Sequence, residues 1–240
     1  MLQYLIDMLY PVRCPVCEEI PVPGEQRICR ACKEKLQVVR EPRCKKCSKP
    51  IEYEEQEYCS DCERKDFHYI RGYSLWIYDA VMKKSISDYK YRSKKENAVF
   101  YVGELVRYYG PAIQKLAPDA LIPVPLHKSK YRERGYNQAD ILARGIGRSL
   151  RLPVVSHLLI RNKKTLPQKQ LNDKERRKNL QEAFAYNRRA ADRFGRKLSR
   201  ILLVDDIYTT GSTMEACANI LTGNGVREVY FLTLCIGKGY

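Results

Sequence analysis

Four Cys-x-x-Cys pairs follow one another at an even spacing: Cys14/Cys17, Cys29/Cys32, Cys44/Cys47 and Cys59/Cys62. Each pair begins 15 residues after the last, with 11 residues between pairs. A tetrahedral zinc ion takes four soft ligands, and one Cys-x-x-Cys turn supplies two of them. Four turns therefore complete two sites of four thiolates each, with no position left open for chemistry. Two structural zincs are predicted. The loops between the pairs are short and Pro-bearing, as fits ribbons held by metal rather than by an apolar core. Sequential sharing of pairs closes shorter loops than an interleaved arrangement, so it is the expected one. Four-cysteine iron–sulfur binding is a chemical rival that spacing does not exclude. The opening MLQYLIDMLYP has no positive leader and no small-residue cleavage site. A reducing compartment is therefore expected, where such pairs hold metal rather than disulfides. Leu2, Leu5, Ile6 and Leu9 share one face of a short helix expected to pack on the adjoining domain. Cys217 and Cys235 stand among apolar neighbours and read as core.

Charge divides the chain in two. Its 240 residues carry 44 Lys and Arg against 28 Asp and Glu, a net +16. Residues 1–70 hold 12 basic and 13 acidic side chains, which leaves 32 and 15 for residues 71–240. Such asymmetry argues for an amino-terminal double ribbon over residues 1–68 and a second module over 69–240. Chelation is expected to unfold residues 11–66 and leave the second module folded. A polyanionic partner suits the basic module, with a solvated surface as the competing explanation. No apolar run approaches the roughly 18 residues of a membrane-spanning helix.

From Tyr69 onward, strand-like and helix-like segments alternate. Strands are expected at Tyr73–Tyr78, Ala120–Val124, Ile201–Val204 and Glu228–Leu234. Helices are expected at Ala80–Tyr91, at Val99–Tyr109 closed by Gly110-Pro111, at Asn137–Leu150 and at Thr213–Thr222. Apolar strands alternating with helices indicate an α/β fold with a doubly wound parallel sheet. Ligands of such sheets bind at the carboxyl ends of the strands.

At one such end the sequence reads ILLVDDIYTTGSTM, from Ile201 to Met214. Asp205 and Asp206 stand where the apolar strand is expected to leave the sheet. Thr209, Thr210, Gly211, Ser212 and Thr213 then form a small hydroxyl-rich turn that opens a helix. Its N–H groups and the helix dipole suit a phosphate, and Gly211 permits close backbone approach. A ligand with a phosphate at one end, and vicinal hydroxyls or bound Mg²⁺ at the other, would use both halves. Ribose 5-phosphate has that layout. An ordinary helix cap beside a buried acid pair is the alternative.

This stretch resembles the loop of type I phosphoribosyltransferases that binds phosphoribosyl pyrophosphate (PRPP). The resemblance implies that the segment LIPVPLHKSKYRERGYNQ, from Leu121 to Gln138, is a strand followed by a pyrophosphate-holding loop. His127, Lys128, Arg132 and Arg134 would be its ligands, Arg being suited to bidentate phosphate contact. With the paired Cys-x-x-Cys knuckles, YDAVMKKSISDYKYRSK and LPQKQLNDKERRKNLQEAF, the whole resembles the ComF family of competence proteins. That resemblance implies amino-terminal zinc ribbons coupled to a phosphoribosyltransferase-like domain that binds PRPP with Mg²⁺. It further implies a cytoplasmic role in natural transformation, peripheral at the inner membrane among other competence proteins, handling incoming single-stranded DNA. The alternative is an active phosphoribosyltransferase that transfers ribose 5-phosphate to a nucleobase or related acceptor. In purine enzymes an acid commonly follows the acid pair by three positions. Here Thr209 stands there, as in some pyrimidine-type relatives.

Residues 161–200 carry 14 Lys or Arg against 4 acids. By order, the first part corresponds to the loop that closes over PRPP in the resembled fold. Arg161, Lys163, Lys164, Arg176 and Arg177 would reach phosphate oxygens as a lid, or track a DNA backbone. Tyr89-Lys-Tyr-Arg-Ser-Lys-Lys95 interleaves rings with cations, as single-strand binders do, or else ends an amphipathic helix with Tyr half-buried. No recognition helix is evident, so DNA binding is expected to be nonspecific and salt-dependent.

Overall fold

The computed structural model of the protein describes residues 11–22, 27–162 and 183–238. The expected amino-terminal helix, and Lys163, Lys164, Arg176 and Arg177, lie outside them. After two short ribbon helices, α1 (Arg30–Lys33) and α2 (Ser60–Arg64), the chain enters β1 (Arg71–Ile77). Then come α3 (Ala80–Tyr91), α4 (Asn97–Leu116), β2 (Ala120–Pro123), α5 (Lys128–Arg134) and α6 (Gln138–Leu150). A hairpin, β3 (Leu159–Arg161) with β4 (Phe184–Tyr186), precedes α7 (Arg188–Phe194), β5 (Arg200–Tyr208), α8 (Ser212–Gly223) and β6 (Glu228–Ile236). The four long strands form one parallel sheet in the order β1-β6-β5-β2. This is the α/β architecture expected, consistent with a phosphoribosyltransferase-like fold.

Strand side chains alternate between faces, and β5 shows why its sequence is apolar on both. Leu202 and Val204 join Leu105, Ile113, Leu142 and Ile146 of α4 and α6 in one core. Ile201 and Leu203 join Met214, Cys217 and Leu221 of α8 in the other. Cys217 and Cys235 are fully buried, as expected of core residues.

Several elements depart from their expected bounds. Helix α4 does not stop at Tyr109; it runs 20 residues through Gly110 and Pro111 to a left-handed cap at Ala117. Proline in a helix interior costs about 3 kcal/mol. The final turns bury Ile113 completely, and that burial works against the cost. Strand β5 does not end at Val204 either. Its pairing with β6 continues from Asp205↔Thr233 to Tyr208↔Ile236, so the acid pair lies within the strand. The basic segment read as a loop holds the helix α5, capped by His127, whose side chain accepts from Ser129 N–H. The hairpin β3/β4 and α7 were not anticipated, since three-residue strands are too short for periodicity to reveal.

The ribbons do not stand apart from the sheet. Val39 N–H donates to Leu75 O at 2.9 Å and Ile77 N–H to Gln37 O at 2.8 Å, so residues 37–39 run along the open edge of β1. Gly72 N–H donates to Lys46 O at 2.7 Å, and Ser48 Oγ to Gly72 O at 2.7 Å. Gly72 tolerates no side chain, because a Cβ there would sit 1.9 Å from the Phe231 ring. Both core clusters take cysteines from the ribbons: Cys44, Cys47 and Cys59 in one, Cys14 and Cys32 in the other. The change in sequence character near residue 68 is therefore crossed by continuous packing. This packing gives zinc removal a route to the edge of the second module, beyond residues 11–66. Removing zinc from the full chain should lower its thermal midpoint and speed amide exchange at Val39 and Ile77, while Leu203 in the sheet centre exchanges last. Unchanged protection at Ile77 after complete zinc removal would contradict the shared edge.

Candidate functional site

The sulfurs of Cys14, Cys17, Cys29 and Cys32 form one cluster, and those of Cys44, Cys47, Cys59 and Cys62 a second, all within 4.8 Å of each other in each case. Zinc–sulfur bonds of about 2.3 Å in a tetrahedron place sulfurs about 3.8 Å apart. Cys17 and Cys29 stand at 3.7 Å, Cys47 and Cys59 at 3.6 Å. The donor sets fit zinc, and the grouping is the sequential one. With four protein thiolates each, both centres are closed and structural.

The acid pair has a partner that lies far away in sequence. Lys90, in the last turn of α3, places its Nζ 2.8 Å from Asp206 Oδ2, with the two side chains 17% and 10% exposed. Burial alone would lower the Lys90 pKa, but the charge and hydrogen bond of Asp206, with the charge of Asp205, raise it overall. Asp205 accepts at 2.8 Å from Asp206 N–H. Desolvation, then the neighbouring charge of Asp206, push the Asp205 carboxyl up to about 7, against opposing pulls from Lys90 and Arg161. The site thus holds one paired carboxylate and one that changes charge near neutrality.

Behind it lies the cradle. Gly211 adopts φ +79°, the left-handed region, and caps α8. The hydroxyls of Tyr69 and Tyr208, 2.8 Å apart and buried, close in behind Gly211. A Cβ at Gly211 would meet the Tyr208 hydroxyl at 2.4 Å, so both conformation and space demand glycine. Thr209 and Thr210 are exposed, Thr210 Oγ1 lies 2.9 Å from Ser212 Oγ, and Thr213 occupies the first turn of α8. Glu215, also in that turn, is drawn aside to His68, whose N–H donates to Oε2 at 2.8 Å. The N–H groups of the helix start are oriented for an anion.

Other expected ligands are distributed unevenly. Lys128 and Arg132 are exposed on α5, and His127 is half-buried at its cap. Arg134 is turned inward: it is 8% exposed, donates to Gln138 Oε1 at 3.0 Å and Tyr91 OH at 2.9 Å, and its guanidinium lies 4.7 Å from the Tyr91 ring centre. Its buried Nε has no acceptor among the described residues. Arg161 ends β3, stacked 5.1 Å from the Phe184 ring centre. Desolvation lowers its pKa, and the charges of Cys217 and Asp205 oppose that. A cleft of about 340 Å³ lies beside it, lined by Asn137, Asp140, Arg144 and His157 among others. Lys163, Lys164, Arg176 and Arg177 cannot be placed against the site, being outside the described residues. Sequence reasoning missed Lys90 as a site residue. Its signal was YKYRSK, read as interleaved rings and cations, but Tyr89 is wholly buried against Tyr101 and Tyr136.

Comparison with known proteins gives one family match and three relatives. Residues 5–63 match the family described as the double zinc ribbon domain. Competence protein F of Haemophilus influenzae is 40% identical over 112 residues, 47% of this chain and 48% of that protein. The DNA utilization protein YhgH of Escherichia coli K12 is 33% identical over 118 residues, 49% of each chain. The competence protein ComFC of Bacillus subtilis is 28% identical over 211 residues, 84% of this chain and 80% of that one. The chain spans about half the length of the first two relatives. It is a homologue of competence and DNA-utilization proteins, consistent with the ComF resemblance.

The two acids should respond oppositely to substitution. A folded pKa raised from 3.8 to about 7 means that the folded state holds the Asp205 proton more tightly than the unfolded chain does. That stabilisation is complete below the unfolded value and is lost as pH rises through about 7. Asp205→Asn should therefore stabilise the protein increasingly from acid to pH 8. Asp206→Ala should destabilise it, because it strands the Lys90 ammonium; losing one partner of a fully buried pair costs about 3–5 kcal/mol, and this pair keeps some solvent. Thermal melts of both variants across pH measure this, and a neutral Asp206→Ala would contradict it.

Proposed function

We propose that Asp205, Asp206 and the Thr209–Thr213 cradle bind PRPP with Mg²⁺, and that the chain uses this site while handling incoming single-stranded DNA in natural transformation. One observation carries the proposal. Two carboxylates near the carboxyl end of a central parallel strand adjoin a glycine-shaped helix start that has no side-chain cap among the described residues. Asp205 and Asp206 would accept from the ribose hydroxyls or assist the metal, which would supply charge neutralisation for the pyrophosphate. Thr209, Thr210, Gly211, Ser212 and Thr213 would surround the 5-phosphate. Lys128 and Arg132 extend a cationic rim from α5, and His127 sits at its base. The orphaned Nε of Arg134 is the sort of buried donor an anion would satisfy.

The names of the relatives, competence protein F, ComFC and DNA utilization protein, support the DNA part of the reading. So does the excess of 32 basic over 15 acidic residues after residue 70. Among the described residues no helix is long and apolar enough to cross a membrane. A cytoplasmic protein, peripheral at the inner membrane beside competence proteins, fits these features. A second reading, transfer of ribose 5-phosphate to a nucleobase, is favoured by the 340 Å³ cleft next to Arg161, which lies within the size range of small-ligand pockets. Pyrophosphate release from PRPP with a panel of bases separates the two.

Changing Asp205 and Asp206 together to Ala should abolish PRPP–Mg binding in calorimetry. With the Lys90→Met change added to remove the stranded charge, the variant should fold and still fail to bind. Its affinity for single-stranded DNA should stay level or rise, since screening limits the lost charges to about 8 Å at physiological salt. Retained PRPP binding in the triple variant would overturn the site assignment. Normal transformation by that variant would show that the sugar-phosphate site is not needed for the task.

A further inference from the structure

Beyond β2 the sheet is closed by an irregular segment. Leu121 N–H donates to Pro153 O at 2.9 Å and Val155 N–H donates to Leu121 O at 3.0 Å, so residues 153–155 cover the strand's free edge. Near that edge lie three depressions, one of about 340 Å³ between α5 and α6, and two of about 580 and 690 Å³ between α6 and the segment of α7 and Arg196. All three are lined by Arg144, and the smallest and largest also share Ser156, His157 and Ile160. They are therefore parts of one groove, which begins at the cleft beside Arg161.

Cations dominate the groove. Arg144 and Arg148 on α6, with Arg151 at its cap, follow one another at helical spacing along the same face. Arg189 and Arg193 on α7, and Arg196 just beyond it, face the groove from the other side. All six are exposed. Only Arg144 is held, by Asp140 at 2.8 Å and Ser156 Oγ at 2.9 Å. Asp140 is the single acid in the lining, and Arg144 already neutralises it. Arg148, Arg151, Arg189, Arg193 and Arg196 have no ion pair among the described residues. A helix C-terminus favours a cation in its last turn, which accounts for Arg148 and Arg193 but not for Arg189.

Rings lie in the same groove. Tyr131 is 52% exposed, His157 is exposed, and Phe194 is half-buried at the far end. Cations that follow a backbone, interleaved with flat side chains, are how single strands are held without sequence preference. An acidic protein surface would use the charges and leave the rings unexplained, and a duplex keeps its base faces stacked away from them.

We infer that this arginine groove over the β2 edge, between α6 and α7, is a binding track for single-stranded DNA, distinct from the PRPP cradle. The inference rests on the DNA-handling reading above and locates it. The phosphates run along the six arginines, and unstacked bases lie on Tyr131, His157 and Phe194.

The test uses the zinc-loaded full chain and a short fluorescent oligothymidylate, titrated over a range of salt. Replacing Arg148, Arg151 and Arg193 with Glu should weaken binding at least about tenfold and flatten the salt slope by about 0.7 per lost cation. PRPP–Mg titration should be unchanged, which reports that the fold is intact. A second variant, Arg189→Gln with Arg196→Gln, must weaken binding in the same direction. Tyr131→Ala should weaken it without altering the salt slope. If the wild-type chain does not bind the strand at all, the DNA-handling reading falls and the groove with it. If it binds and neither arginine variant weakens it, the groove is wrong and the DNA reading stands. Polyglutamate binding as tightly as the oligonucleotide would overturn the assignment of the partner.

Discussion

The rest of the structure depends on a buried hydrogen bond between two tyrosines. The hydroxyls of Tyr69 and Tyr208 meet at 2.8 Å beneath Gly211. Tyr69 begins the passage from the ribbons into β1, and Tyr208 ends the strand that carries the acid pair. Their rings pack with Phe231, whose face lies against Gly72, and the same cluster includes Cys44, Cys47 and Cys59. A zinc knuckle, the central sheet and the anion cradle thus share one packing unit. Burial raises the pKa of both tyrosines far above the ordinary value, so the pair stays protonated and neutral.

From this frame the division of charge follows. The cradle and its acids sit near the carboxyl ends of β5, with Lys90 brought in from α3 to neutralise one carboxylate. The other, Asp205, is held near the point of ionisation. A site of that kind binds poorly to a bare polyanion and well to an anion that arrives with hydroxyls or a divalent ion. Among the described residues, exposed arginines also line the groove framed by α6 and α7. The acids and the glycine-shaped turn thus lie on β5 and α8, while the arginine groove lies over the edge of β2.

Much of this was legible in the sequence, for physical reasons. Even Cys-x-x-Cys spacing dictates two metal sites, and loop entropy favours the sequential grouping that the sulfurs adopt. Apolar residues on both faces of Ile201–Val204 required a buried parallel strand, although that strand carries Asp205 and Asp206 within it and ends only at Tyr208. Other features depended on contacts distant in sequence. Lys90 reads as one cation among several until α3 packs beside β5. Arg134 reads like its neighbours Lys128 and Arg132, but the close of α5 at Gly135 turns it inward onto Tyr91 and Gln138. Pro111 looks like a helix stop, and only the burial of Ile113 shows why α4 continues. The join between ribbon and sheet was hidden because residues 37–39 are too few to announce a strand.

The central claim is that Asp205 must be ionised to receive a hydroxyl-bearing, metal-bound phosphate. Calorimetric titration of PRPP–Mg across pH 7, for the wild-type chain and Asp205→Asn side by side, tests it most directly. Titration of the ligand's own phosphates is common to both proteins and cancels in the comparison. The account predicts that the wild-type affinity gains on the variant as pH rises through about 7. A constant ratio between the two across that range, or equal affinities, would contradict it.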